Sequence, residues 1–115
     1  LDGQSGVFFV FLPAMNIESN EIPNDFMLYN AFPNPFNPGT TIRFDLPEDS
    51  FVTIKVYDMV GRHVKSLLKN NISAGRRLII WDGTNSFEQP ASAGTYFYTI
   101  KTDRYSQTKK MILLK

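Results

Sequence analysis

A proline-rich turn directly before an alternating strand constrains the fold of this chain more than any other feature of its sequence. Residues 32–39 read Phe-Pro-Asn-Pro-Phe-Asn-Pro-Gly, and each proline fixes its own φ and restricts the residue before it to extended or turn geometry. These restrictions exclude a helix, and Gly39 can adopt a φ that other residues avoid. Residues 42–46 then alternate as Ile-Arg-Phe-Asp-Leu, which predicts a strand with one packed face and one hydrated face.

Alternating or β-rich segments, separated by turn signals, follow along the rest of the chain. Strands are predicted over 41–46, 51–58, 63–68, 77–81, 96–101 and 105–114. We expect the first two of these strands to form a hairpin across the turn Pro-Glu-Asp-Ser at 47–50. About seven short strands without a helical pattern predict an all-β fold, an immunoglobulin-like antiparallel β-sandwich.

The core of such a sandwich must consist of apolar packing, because the chain has no cysteine and therefore no disulfide. The residues predicted for this core are Ile42, Phe44, Leu46, Val52, Ile54, Val56, Leu78, Ile80, Tyr96, Tyr98 and Ile100. Trp81 is expected to join them at a strand end, where its indole N–H can reach a carbonyl of the following loop. Burial of each large apolar side chain contributes roughly 1.5–3 kcal/mol, which is enough to stabilise one domain of this size.

Charge and apolar content argue against nucleic-acid binding and against a membrane span. The formal net charge is +1, and acidic and basic residues are interspersed, so no broad field attracts nucleic acid. The apolar run Val-Phe-Phe-Val-Phe-Leu at 7–12 is far shorter than the ~20 residues of a membrane helix and lacks the basic flank of a signal peptide, so it is predicted to be a buried strand. If the chain is exported, it needs such a signal, and this sequence is then expected to be the C-terminal part of a longer precursor.

Catalytic and metal-binding chemistry has few candidate residues. His63 is the single histidine, and its place in a short strand after a Gly-Arg turn favours a surface or edge position over a catalytic one. Oxygen atoms of Glu48, Asp49, Asp82 and Asn85 are possible ligands for calcium, but turn capping explains these residues better. We therefore predict a non-catalytic protein without a metal or another cofactor.

Several sequence blocks together resemble a known family. The blocks are 32–47, 52–58, 60–62, 73–75, 81–83, 93–98 and 109–115. In this order and spacing, the chain from about residue 28 to 115 resembles the type A C-terminal sorting domain of proteins exported by the type IX secretion system. It is also similar to the related immunoglobulin-like domain of the flagellar hook-capping protein. The resemblance implies that residues 27–115 form an immunoglobulin-like sorting domain.

The function that this resemblance implies is a non-catalytic sorting signal, which directs a larger cargo protein across the outer membrane to the exterior or the cell surface. The implied partners are the upstream cargo domain, the outer-membrane translocon, and a sortase-like peptidase that removes the domain. The family's export machinery recognises the end of the domain, which here corresponds to Lys109, Lys110, Met111, Ile112, Leu113, Leu114 and Lys115. A structural loop is expected from Pro33, Asn34, Pro35, Asn37, Pro38 and Gly39.

Residues 1–26 lie outside the resemblance, and two interpretations of them stay open: the end of an upstream domain with a linker, or an added edge strand. The linker-like stretch 14–25 is the expected place for proteolytic processing. Two other functions also stay open. One is a structural or adhesive module of an extracellular assembly, and the other is an accessory domain of a secreted hydrolase that stacks sugars on Tyr57, Phe97 and Tyr105. Exposed strand edges can also pair two copies of the chain.

Overall fold

The fold is a sandwich of two antiparallel sheets. The computed structural model describes residues 21–114, and these residues form strands and turns without a helix. The strands are β1 (Met27–Leu28), β2 (Thr40–Leu46), β3 (Ser50–Asp58), β4 (His63–Ile72), β5 (Gly75–Trp81), β6 (Gly94–Lys101) and β7 (Ser106–Leu113). One sheet has the order β1-β2-β5 and the other the order β4-β3-β6-β7. The predicted all-β sandwich is confirmed, and the described residues contain no helix of the length and apolarity that a membrane crossing requires.

Strands β2 and β3 lie in different sheets, so the predicted hairpin between residues 41–46 and 51–58 is wrong. β2 pairs with β1 and β5, whereas β3 pairs with β4 and β6. Each of the two strands has a row of buried apolar side chains. Crossing between the sheets at residues 47–49 makes these rows face each other through the core, whereas a hairpin would place them side by side in one sheet.

Strand β5 buries the face opposite to the one predicted. The side chains of Leu78 and Ile80 are 59% and 61% exposed, so their predicted place in the core is wrong. Trp81 at the end of the strand is fully buried, and period-two alternation then directs Ile79 inward and its two neighbours outward. The indole is the largest side chain of the strand, so its burial outweighs that of a leucine or an isoleucine.

The core between the sheets contains the other predicted residues and several more. Buried as predicted are Ile42, Phe44, Leu46, Val52, Ile54, Val56, Tyr96, Tyr98 and Ile100. The structure adds Leu28, Phe36, Met111 and Leu113. Burial raises the pKa of both core tyrosines. The hydroxyl of Tyr96 donates to the Ser92 carbonyl (2.6 Å) and that of Tyr98 to the Tyr29 carbonyl (2.7 Å), so both phenols are satisfied inside the core.

Residues considered for catalysis and calcium binding take part in turns and local hydrogen bonds. His63 is exposed, and its Nε2 lies 3.0 Å from Ser66 Oγ. Asp82 Oδ1 accepts hydrogen bonds from the Thr84 amide (3.0 Å) and the Thr84 hydroxyl (2.6 Å), and the hydroxyl bond lowers the pKa of Asp82. Asn85 Oδ1 accepts from two backbone amides of the next turn. These side-chain oxygens therefore maintain turn geometry, as the sequence indicated.

Candidate recognition site: the proline loop and strand β7

Strand β7 contains most of the residues predicted to be recognised, and it lies at an edge of the four-stranded sheet. On one side it pairs with β6 along its whole length. The side chains of Met111 and Leu113 point into the core and are 0% and 3% exposed. These two residues anchor the strand, so in the folded domain their side chains are not accessible to a partner.

The other predicted residues of this segment lie closer to solvent. Ile112 and Leu114 are 36% and 48% exposed, and Lys110 is exposed as well. Lys109 is half-buried, and Lys115 lies outside the described residues. One ammonium group beside two aliphatic side chains therefore faces outward, and we call these three residues the β7 surface (Lys110, Ile112 and Leu114).

The proline loop (residues 33–39) packs against the free edge of β7, so the structure brings the two predicted groups together. The Phe36 amide donates to the Ile112 carbonyl (3.0 Å), and the Leu114 amide donates to the Phe36 carbonyl (2.8 Å). These bonds form a short parallel bridge between the loop and the strand. The Phe36 side chain is buried and packs edge-on against Trp81, with ring centroids 5.6 Å apart. The loop is thereby anchored in the core.

The side chain of Asn34 extends this pairing along β7. Its Oδ1 accepts a hydrogen bond from the Ile112 amide (2.9 Å), and its Nδ2 donates to the Lys110 carbonyl (3.4 Å). The side-chain amide thus replaces the peptide group that a neighbouring strand would supply. Because the loop occupies these backbone groups, this part of the sheet edge is closed to strand addition.

Asn34→Ala is expected to lower the free energy of unfolding by about 1–2 kcal/mol, because the Ile112 amide loses its acceptor. Asn37→Ala is the matched control, since Asn37 is an exposed asparagine of the same loop. Chemical denaturation measures both variants, and hydrogen exchange of the Ile112 amide should be faster in Asn34→Ala alone. Equal stability and equal exchange in the two variants would contradict this role of Asn34.

Two glycines allow the proline loop to lie close to the end of β5. At Gly83, where φ is +82°, a Cβ atom would lie 2.5 Å from the Pro38 carbonyl oxygen. At Gly39 a Cβ atom would lie 3.2 Å from the Trp81 carbonyl oxygen. Gly39 itself does not have a positive φ, and the positive φ next to the loop falls on Gly83. At Gly39 it is the close approach of the backbone that favours a residue without a side chain.

The sequence identified the loop and the strand separately but did not indicate that one holds the other. Asn34 and Ile112 are 78 residues apart, and a hydrogen bond over this separation leaves no trace in a local pattern. One local feature of the sequence did indicate that the loop is anchored in the core. Phe36 is a large apolar residue in an otherwise proline- and asparagine-rich turn, and burial of such a side chain contributes roughly 1.5–3 kcal/mol.

Three solved structures share this fold. Dimeric latent PorU from Porphyromonas gingivalis is 27% identical, with a TM-score of 0.59, and the match covers 78% of this chain and 9% of PorU. PorZ, an essential surface component of the type-IX secretion system of P. gingivalis, is 17% identical, with a TM-score of 0.54 over 76% of this chain and 11% of PorZ. FlgD from P. aeruginosa is 23% identical, with a TM-score of 0.52 over 69% of this chain and 67% of FlgD.

The chain thus spans about a tenth of the length of PorU and PorZ, and its likeness to PorZ and FlgD is one of fold. Among curated proteins the sequence has no match. Residues 30–114, however, match the family described as Secretion system C-terminal sorting domain. This range contains the proline loop, strands β2 to β7 and the β7 surface. The chain therefore belongs to the family of secretion system C-terminal sorting domains, which are non-catalytic signals that mark secreted or cell-surface proteins.

Proposed function

We propose that the β7 surface is the part of this sorting domain that the outer-membrane translocon of a type IX secretion system recognises. One observation supports the proposal most directly. The proline loop holds β7 in a single register, in which Lys110, Ile112 and Leu114 face outward while Met111 and Leu113 anchor the strand. Membership of the sorting-domain family supports a partner in the secretion machinery.

Recognition in this proposal is by side chains and not by backbone pairing. Asn34 and Phe36 already bond to backbone groups of Lys110, Ile112 and Leu114 along the free edge. A receptor strand would have to displace the loop, at a cost of about 0.5–1.5 kcal/mol for each hydrogen bond. An acidic group of the receptor can instead pair with the lysine, while an apolar cleft accepts the two aliphatic side chains.

The segment before β1 suits the proposed peptidase step. Residues 21–25 precede the first strand and are mainly exposed, and exposed backbone outside a sheet fits the cleft of a protease. We therefore assign processing by a sortase-like peptidase to residues 14–25, of which 14–20 lie outside the described residues, as does the strand predicted at 7–12. Cleavage there separates the upstream cargo from the folded sorting domain.

The secreted fraction of a reporter tests the β7 surface, with the reporter fused upstream of the full chain in a bacterium that has a type IX system. Ile112→Asp is expected to lower the secreted fraction about tenfold, because a charge replaces an apolar contact worth about 1–2 kcal/mol. Ile80→Asp is the matched control, since Ile80 is an exposed isoleucine on a strand of the other sheet. Its secretion should stay within about twofold of the parent.

Two outcomes would contradict this proposal. One is normal secretion of the Ile112→Asp reporter, and the other is an equal loss for Ile112→Asp and Ile80→Asp. The periplasmic amount of folded, protease-resistant domain is measured for both variants, so that the comparison is made between folded proteins. A reporter without the domain gives the background level.

A further inference from the structure

The outer face of the four-stranded sheet has four lysines and, towards one end, two aromatic residues. Along β3 these residues alternate with core residues, as Lys55 and Tyr57 alternate with the buried Val56. The same alternation applies on β6 and β7. We call this surface the lysine face, and its members are Lys55, Lys69, Lys101, Lys110, Tyr57 and Phe97.

Strand register sets the spacing of these residues. In one row Phe97 lies between Tyr57 and Lys110. In another row Lys69 and Lys101 lie on either side of β3, both opposite its residue 53. Neighbouring strands are about 4.8 Å apart and alternate residues of one strand about 6.8 Å apart, so each lysine lies roughly 8–12 Å from its nearest lysine neighbour at the backbone.

The positive charge of the lysine face is not neutralised by acidic residues of the same strands. β3, β4, β6 and β7 contain one acidic residue, Asp58, and its carboxylate bonds to Arg62 (3.0 Å). Lys65, which is not part of the face, pairs with Glu88 (3.3 Å). Within residues 21–114 the four lysines of the face form no ion pair. Positive charge is thus concentrated on one face of a chain whose net charge is only +1.

The aromatic pair lies at one end of this face, with Lys55 beside it on β3 and Lys110 beside it on β7. Tyr57 and Phe97 are directly opposite each other on β3 and β6 and are half-buried. The His63 ring packs edge-on against Tyr57, with centroids 5.9 Å apart. Tyr105, the third aromatic residue predicted for sugar stacking, instead stacks on Phe26 at 5.3 Å. The available aromatic surface is therefore the cross-strand pair at one end of the lysine face, beside Lys55 and Lys110.

We propose that the lysine face binds an anionic polysaccharide, whose acidic groups pair with the lysines while its sugar rings stack on Tyr57 and Phe97. Charge-assisted hydrogen bonds from ammonium groups suit such acidic groups. An acidic protein is a poorer fit, because it would have to pair with four lysines in one interface and lysine is depleted in protein interfaces. Nucleic acid is a poorer fit, because the net charge of +1 gives no broad field to attract a phosphate backbone.

Affinity electrophoresis of the full 115-residue chain tests this binding, in gels that contain polygalacturonate or, for comparison, neutral dextran. Polygalacturonate should retard the parent chain, and dextran should not. Lys69→Gln/Lys101→Gln is expected to weaken binding about tenfold, because two charge-assisted contacts are lost. Both residues are exposed and lie outside the β7 surface, so the result is independent of translocon recognition.

Two further variants separate the lysine face from a general effect of charge. Arg43→Gln/Arg104→Gln removes two positive charges elsewhere, and its binding should stay within about twofold of the parent. Phe97→Leu keeps an apolar side chain but removes the ring, so it should also weaken binding. The proposal would be overturned by no retardation in polygalacturonate, by an equal loss in the arginine variant, or by equally strong retardation with polyglutamate or single-stranded DNA.

Discussion

Trp81→Ala is expected to lower the free energy of unfolding by about 3–5 kcal/mol, because the indole is fully buried in the core. Its ring packs edge-on against Phe36 (5.6 Å) and Tyr96 (5.2 Å), and its Nε1 donates to the Thr84 carbonyl (2.9 Å). Chemical denaturation followed by circular dichroism measures the loss, since Trp81 is the single tryptophan and its fluorescence disappears with it.

Two other substitutions in the same strand give the comparison. Ile80→Ala changes an exposed neighbour and is expected to cost no more than about 0.5 kcal/mol. Trp81→Phe keeps an aromatic ring but loses the hydrogen bond to Thr84 and some volume, so its cost should fall between those of the two alanine variants. A loss below about 1 kcal/mol for Trp81→Ala would contradict a packed indole at this position.

Gly83→Ala is expected to lower the free energy of unfolding by about 2–4 kcal/mol, for two separate reasons. The positive φ of +82° is strained by about 1–2 kcal/mol for a residue with a Cβ atom. In addition, the new Cβ would lie 2.5 Å from the Pro38 carbonyl oxygen, so the proline loop has to move. The free energy of unfolding measures the total. Exchange of the Ile112 and Leu114 amides, which bond to the loop, reports the displacement.

Gly61→Ala separates the two causes. Its φ of +89° is similar, but no atom lies within 4 Å of the added Cβ. This variant should therefore show the backbone strain of about 1–2 kcal/mol without faster exchange at the end of β7. The role of Gly83 would be contradicted if both variants lost the same free energy of unfolding and amide exchange at the end of β7 stayed unchanged. The close approach of Gly83 would then not keep the proline loop in place.

Alternation in the sequence predicted the inward residues of β2 and β3, because in these strands polar side chains separate the apolar ones. The inward residues of β6 were predicted correctly as well, although Phe97 stands between Tyr96 and Tyr98. It failed in β5, where Leu78, Ile79 and Ile80 are consecutive apolar residues and both registers are equally hydrophobic. Only the burial of Trp81 decides between them. The sequence also predicted the wrong connection at 47–49, because a short polar turn is compatible with a hairpin and with a crossing between sheets.

The proposed recognition site was predictable as two pieces and not as one. Proline and asparagine identified the loop, and a lysine-flanked apolar run identified the strand, since both are local patterns. Their contact depends on the Asn34 side chain and the Phe36 backbone, and partners at such sequence separations are set by the tertiary fold. The burial of Met111 and Leu113 likewise follows from the place of β7 in the sheet.

The bonds between Asn34 and β7 join residues that are 76 and 78 positions apart. An unfolded chain contains all of these residues, but closing so long a loop costs entropy that only a formed core offsets. The outward arrangement of Lys110, Ile112 and Leu114 therefore exists only after the intervening strands have assembled. A partner that binds this arrangement therefore distinguishes the folded domain from chains that have not finished folding.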